Sequence, residues 1–413
     1  MLIIKLFLFL ILFSYIIRGV FPFLQYIENV LILCFSLYTF IYVASNQFRS
    51  CRVKLCYLKI FLILLAMIFL VIVNSIVNYQ SIIYIPSVMY ELYKLMTPFY
   101  FVPLLLLFKR DNGRYINRLL FLFLSMNAVA LILQHIFGVG VVKYFGVFHD
   151  LSHYVSRDRP TGLTANANII GVFGFFCYVY SVSYLELIRN QQFKIVKSLC
   201  YLSFLVVILS TSKAAMLCLL LFIFLRKVNF RRLVPVGLFC IFMSFVLFNF
   251  NIYGVTDKFQ SYLHFIDLLA SSSQVKPSLI EGRLWGWYLA IKLFISSPMG
   301  YGFGVWGDFS SRINPLLQNF DLYLDYSDSA LSHLVVEQGF FCILYFYAIS
   351  KLLAGFSSRL VFIILLIFLM VTNYGFSQSL FYLGFWMVTV LCFLRSKKVE
   401  ENINCKQYVS QSI

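Results

Sequence analysis

The sequence predicts an all-α, polytopic membrane protein of about twelve transmembrane helices with one long outer loop. Three observations carry that reading. Of 413 residues, 62% are hydrophobic and 12% charged, against roughly 45–50% apolar and about 25% charged in a soluble chain. The mean hydropathy is +0.88. Apolar runs approaching the roughly 20 residues that a ~30 Å bilayer core demands recur along the chain, and the single long break between them covers residues 252–331.

In order, the expected spans are 2–17, 29–45, 60–77, 95–108, 119–138, 167–187, 198–210, 214–225, 233–251, 331–349, 360–375 and 378–394. The first reads as a span, because no small-residue cleavage site follows its apolar run. The two short spans around Ser210 to Lys213 read as a kinked or partly re-entrant unit, tolerable only where protein or water satisfies the backbone. Residues 252–331 form the outer loop, with short helices of its own, and 395–413 form a tail. No internal repeat is visible.

The net charge of +17 sorts by side of the membrane. With the N-terminus inside, one side holds 22 cations against 4 acids, a net +18. The other holds 11 against 12, a net −1. That is the positive-inside bias; it accounts for the whole basic excess and argues against nucleic acid as partner. Both termini are then cytoplasmic. Seven of the ten cysteines fall in spans and the other three, Cys51, Cys56 and Cys405, on the cytoplasmic side. None lies where oxidation is expected, and no spacing fits zinc.

Polar chemistry collects on the outer side. All five histidines fall there, as do Arg157, Arg159, Lys213, Arg283 and every tryptophan but Trp386. Four elements stand out. Residues 157–168 combine two arginines and a Pro160–Gly162 turn with Thr164, Asn166 and Asn168, each suited to cap the following helix. A helix start beside arginine attracts anions; the plain alternative is a capped helix with a solvated side chain. Ser210 to Lys213 set hydroxyls and a cation at a membrane turn, which is costly unless used or solvated; a snorkelling lysine is the plain alternative.

The third element runs from Glu281 through Arg283, Trp285 and Trp287 to Ser297-Pro298 and Gly300 to Gly304. Leu284, Tyr288, Ile291 and Ile295 recur at helical spacing and would lie against protein or lipid. Arg283 in a first helical turn opposes the dipole there, which points to an anionic partner. The three glycines allow a backbone to approach a ligand closely. In the fourth element, Asp328 to Phe340, His333 and Glu337 are i and i+4 on one helical face. Imidazole beside carboxylate suits a general base, although such pairs are often structural.

These four elements, in this order, resemble the O-antigen polymerase (Wzy) and O-antigen ligase superfamily of bacterial inner-membrane glycosyltransferases. The resemblance rests on Arg159-to-Asn168, Thr211-Ser212-Lys213, Gly282-Arg283 through Gly304, and His333 with Glu337 and Gly339. It covers about Arg157 to Phe340. Two positions depart from the pattern. Lys213 replaces the usual arginine, keeping charge without the bidentate fork, and Leu334 replaces an asparagine, which points away from the ligase branch.

The resemblance implies a donor glycan carried on undecaprenyl diphosphate, a site on the periplasmic face of the inner membrane, and a chain-length regulator and a flippase as pathway partners. Such a leaving group needs cations, and Arg159, Lys213 and Arg283 are the candidates. His333 is the candidate base with Glu337 as its orienter; Asp321, Asp325 and Asp328 are alternatives. Trp285, Trp287 and Trp306, with Asp328, are candidate sugar contacts, and core packing is the alternative for the rings. No DxD is present, so neither metal nor cofactor is expected. The rival readings are ligation of finished glycan to lipid A core, transport of lipid-linked glycans, and a non-catalytic assembly role.

Overall fold

Every described element is helical. The computed structural model describes residues 2–14, 16–17, 21, 30–31, 34, 37–38, 51–89, 100–111, 113–141, 159–164, 166–187, 193–226, 266, 282–306, 313–319, 329–353, 359–372 and 379–410, and among them there is no strand. The helices are α1 (Leu2–Leu12), α2 (Cys51–Tyr79), α3 (Phe101–Asp111), α4 (Arg114–Phe137), α5 (Ala167–Leu187) and α6 (Phe193–Leu209). They continue with α7 (Lys213–Arg226), α8 (Gly282–Ser296), α9 (Ala330–Gln338), α10 (Cys342–Leu352), α11 (Arg359–Thr372) and α12 (Ser379–Ser410). Short 3-10 turns extend α2 at Gln80–Ile82 and join α9 to α10 at Gly339–Phe341.

Among the described residues, four segments are long and apolar enough to cross a membrane: Leu62–Ile82, Arg114–Phe137, Ala167–Leu187 and Ala330–Lys351. Shorter apolar helices lie at Leu2–Leu12, Leu284–Ser296, Val361–Thr372 and Leu380–Arg395. The expected span at 233–251 and most of 29–45 lie outside the described residues. The last helix departs from expectation. It does not stop near residue 394 but continues through the tail to Ser410.

The centre of the bundle is α5. Its sequence is apolar all round, the pattern of a helix enclosed by others, and 83% of its apolar window is buried against 22% for Leu62–Ile82. Phe173, Phe175, Phe176, Tyr180 and Tyr184 are all inaccessible. Phe176 meets Phe362, Phe381 and Phe385 edge-on, a ring arrangement that favours close packing beyond area alone. Ser181 and Ser183 donate to the carbonyls of Cys177 and Val179, so their hydroxyls are satisfied in this apolar setting.

The short pair around Ser210 is a helical hairpin, not one kinked helix. Both α6 and α7 pack on α5. At one end of α7, Ser212 Oγ is 3.1 Å from Asn168 Oδ1; at the other, Arg226 pairs with Glu186. Residues 168 and 186 bracket nearly all of α5, so α7 runs beside it for its whole length. Arg395 of α12 also reaches Glu186, at 2.5 Å, and Phe381 and Phe385 lie against Phe176, which together place α12 parallel to α5.

The two ends of the bundle differ chemically. Lys5, Asp111, Glu186, Arg226 and Arg395 gather at one, with Lys5 and Asp111 3.8 Å apart. His135, Asn166, Asn168 and Ser212 gather at the other, where His135 Nε2 lies 2.8 Å from Leu209 O.

Candidate functional site

The four sequence elements come together in pairs. In the first pair, the Pro160–Thr164 turn and the Ser210–Lys213 turn sit side by side. Asn166 caps α5, its Oδ1 accepting the Asn168 N–H at 2.8 Å, and Asn168 in turn meets Ser212. Of the three possible caps, Asn166 takes the role; Thr164 instead donates to Thr161 O at 2.8 Å. Arg159 and Lys213 are both exposed at this end of the bundle. Thr211 has φ 53, a left-handed conformation that costs a β-branched residue about 1–3 kcal/mol.

Two residues of α4 hold the first turn, and the sequence reading did not single them out. Gln134 Oε1 accepts the Gly162 N–H at 2.8 Å, and Asn127 Oδ1 accepts the Leu163 N–H at 2.9 Å. Both side chains are buried. The signal was available: two amides seven residues apart share one helical face inside an apolar span. Loss of the cap should be mild by comparison. Asn166→Ala is expected to cost about 1 kcal/mol, and Asn166→Asp almost nothing, as read from thermal unfolding of the purified protein in detergent.

The second pair is built around Glu337. Stretch 298–302 runs along the end of α9 and satisfies carbonyls that a helix terminus leaves without partners. Tyr301 N–H donates to Val336 O and Gly302 N–H to Glu337 O, both at 2.9 Å; Phe340 N–H donates to Pro298 O at 2.9 Å. Gly339 makes this possible. Its φ is 54, and a Cβ there would stand 2.2 Å from Pro298 O.

The chain then turns so that successive N–H groups converge on one carboxylate oxygen. Glu337 Oε1 accepts from Gly304, Val305 and Trp306 at 2.8, 2.9 and 3.3 Å. Such a concavity of backbone N–H groups binds anions; here the anion is the protein's own. The three glycines bring this backbone close to other parts of the protein. Gly300 lies against the backbone of Glu337, Gly302 against Ser75 and Gly304 against Ser87.

The other carboxylate oxygen, Oε2, lies 3.2 Å from His333 Nδ1. A carboxylate only accepts, so Nδ1 carries the hydrogen. In the neutral ring the lone pair is then on Nε2. His333 is 6% exposed and Glu337 1%. The helix that carries them is fixed at its start: Ser329 Oγ accepts the Ser332 N–H at 3.2 Å and donates to Met370 O at 3.2 Å.

Trp306 is 1% exposed, and its indole N–H donates to Ser332 Oγ at 3.4 Å. It packs with Ile82, Ala290, Val305, Leu317 and Val336 and presents no open face for a sugar ring. Trp285 and Trp287 are half-buried, Trp285 stacked on Tyr288 at 5.3 Å. The face of α8 turned to protein is Gly286, Leu289, Ala290 and Leu293, whereas Ile295 on the expected apolar stripe is 72% exposed. Arg283 lies in the first turn of α8, and α8 packs on α9. Asp321, Asp325 and Asp328 lie outside the described residues.

The two pairs flank α11 at the same end of the bundle. Phe362 sits beside Phe176 and Phe385 at mid-height. Cys218 Sγ is 3.9 Å from Leu365 O, and Ser329 reaches Met370. At about 1.5 Å per residue, the start of α7 and the start of α9 stand at similar heights. No group of three or more histidine, cysteine or acidic side chains able to hold a metal occurs among the described residues. No family model matches the chain, and no curated protein matches it.

Proposed function

We propose that the chain is a membrane glycosyltransferase that joins lipid-diphosphate-linked repeat units into a polysaccharide, O-antigen or capsule. The reading places it in the bacterial inner membrane with twelve spans and cytoplasmic termini, acting at the periplasmic face. The observation that carries it is the His333–Glu337 dyad, buried at the bundle end where Arg159 and Lys213 are exposed. His333 Nε2 takes the proton of the acceptor hydroxyl as that oxygen attacks the anomeric carbon. The diphosphate departs with the bonding pair, its charge met by Arg159, Lys213 and Arg283. Glu337 holds the ring in the required tautomer and stabilises it once protonated. Trp285 and Trp287 are the remaining candidate sugar platforms.

Membranes containing the protein, supplied with an oligosaccharide on undecaprenyl diphosphate, should give a ladder of lengthened chains. Arg283→Ala should slow the ladder about ten- to hundredfold, because a charge-assisted hydrogen bond contributes about 1.5–3 kcal/mol, and Arg283→Lys should restore little. A single transfer to lipid A core instead of a ladder would move the assignment to the ligase. Movement of the lipid-linked glycan across the bilayer without bond formation would make it a transporter.

A further inference from the structure

The first half of the chain carries none of the four motifs, yet α2 holds the turn on which Glu337 depends. Asn74 Nδ2 donates to Gly300 O at 2.8 Å and to Met299 O at 3.2 Å. Asn78 Nδ2 donates to Asn74 Oδ1 at 2.6 Å, which fixes the orientation of the Asn74 amide. Ser75 Oγ donates to Tyr301 O at 3.3 Å. Tyr79 stacks obliquely on Tyr301 with ring centroids 4.7 Å apart, and the Tyr301 hydroxyl reaches Ser296 Oγ at 2.7 Å. Gly302 has φ 102 and passes so close to α2 that a Cβ would overlap Ser75 Oγ at 1.5 Å.

We propose that Asn74 is a positioning residue for the reaction: it sets the glycine turn whose N–H groups fix Glu337 and, through Glu337, the ring of His333. The inference rests on the functional reading of His333 given above. Its logic is spatial. Asn74 fixes carbonyls at 299 and 300, and the three donors to Glu337 Oε1 begin four residues later at Gly304. Between them the chain is pinned to α2 at Tyr301 and to α9 at Val336 and Glu337. With so few free torsions, a shift at Gly300 moves the nest. A nest displaced by a few tenths of an ångström no longer holds Oε1 in place, Oε2 shifts away from Nδ1, and His333 loses its fixed tautomer. Two polar side chains four residues apart in the apolar segment Leu62–Ile82 are costly to keep there without such a task.

The test uses the full-length protein in nanodiscs. Asn74→Ala should lower kcat about tenfold with KM within about twofold, the split expected when an interaction made only in the transition state weakens. In Asn74→Ala/Glu337→Gln the loss should not exceed that of Glu337→Gln alone, because both act through one network. A readout independent of activity is the 15N spectrum of histidine-labelled protein. His333, assigned by its loss in His333→Asn, should show a single Nδ1–H tautomer in the parent and a mixture or exchange broadening in Asn74→Ala. Asn78→Ala should move both readouts the same way by a smaller amount, and serves if Asn74→Ala does not accumulate. Parent-like kcat and an unchanged tautomer, or losses that simply add in the double variant, would overturn the inference. Full activity of His333→Asn would instead remove the functional reading, leaving the tautomer measurement to judge Asn74 as a structural link alone.

Discussion

His333→Asn is expected to abolish transfer while leaving the protein as stable as the parent. The asparagine amide reaches the place of Nδ1 and can donate to Glu337 Oε2, now 3.2 Å from the ring. The three backbone donors on Oε1 are untouched. What disappears is Nε2, the proposed acceptor for the substrate proton. A positioned general base contributes about 10²–10⁴-fold, so the rate should fall by that factor. His333→Ala should fall as far and also lose about 1–3 kcal/mol of stability, because Oε2 is left buried without this donor. Initial rates with a lipid-linked oligosaccharide, beside immunoblots of the membrane fraction and thermal unfolding in detergent, separate the two effects. A His333→Asn protein working within about threefold of the parent is incompatible with a general base at this position.

Local periodicity made much of this molecule legible. The span at 167–187 coincides with α5, and the starts of α7 and α11 fall within one residue of the apolar pattern. His333 and Glu337 were visible as a pair because i and i+4 is a local relation. The partners of Glu337 were not. Its Oε1 is met by residues 31 to 33 positions earlier, and their turn is held by Asn74, more than 220 residues away. Such contacts are set by tertiary packing, which no spacing encodes. The glycines illustrate the ambiguity. A run of three permits close approach, but the sequence does not say to what, and the answer is α9, α2 and Ser87. Trp306 is the same case: a flat ring in a polar loop suits a sugar or a core, and burial beside Ala290 and Leu317 decides for the core.

Glu337 should show the sharpest divergence between two substitutions. Glu337→Ala removes the acceptor for three backbone N–H groups and for the imidazole, all in a setting where the carboxylate is 1% exposed. Removing one partner from a buried charged network costs about 3–5 kcal/mol, a large part of the roughly 5–15 kcal/mol that typically separates folded from unfolded chains. The Ala variant should therefore be depleted from membranes. Glu337→Gln should accumulate normally. Its carbonyl oxygen can keep the three N–H donors, and only the group facing His333 changes, from acceptor to donor. The ring must then accept at Nδ1 and carry its hydrogen on Nε2, so the atom proposed as base is blocked. The Gln variant should be folded and nearly as slow as His333→Asn, with the opposite histidine tautomer in its 15N spectrum. Glu337→Asp, one methylene shorter, cannot span from the nest to the imidazole and should fall between the two in both stability and rate. If Glu337→Gln instead turned over at the parent rate, the carboxylate would be a fold element alone, and the ring's orientation would have to be set by something other than Oε2.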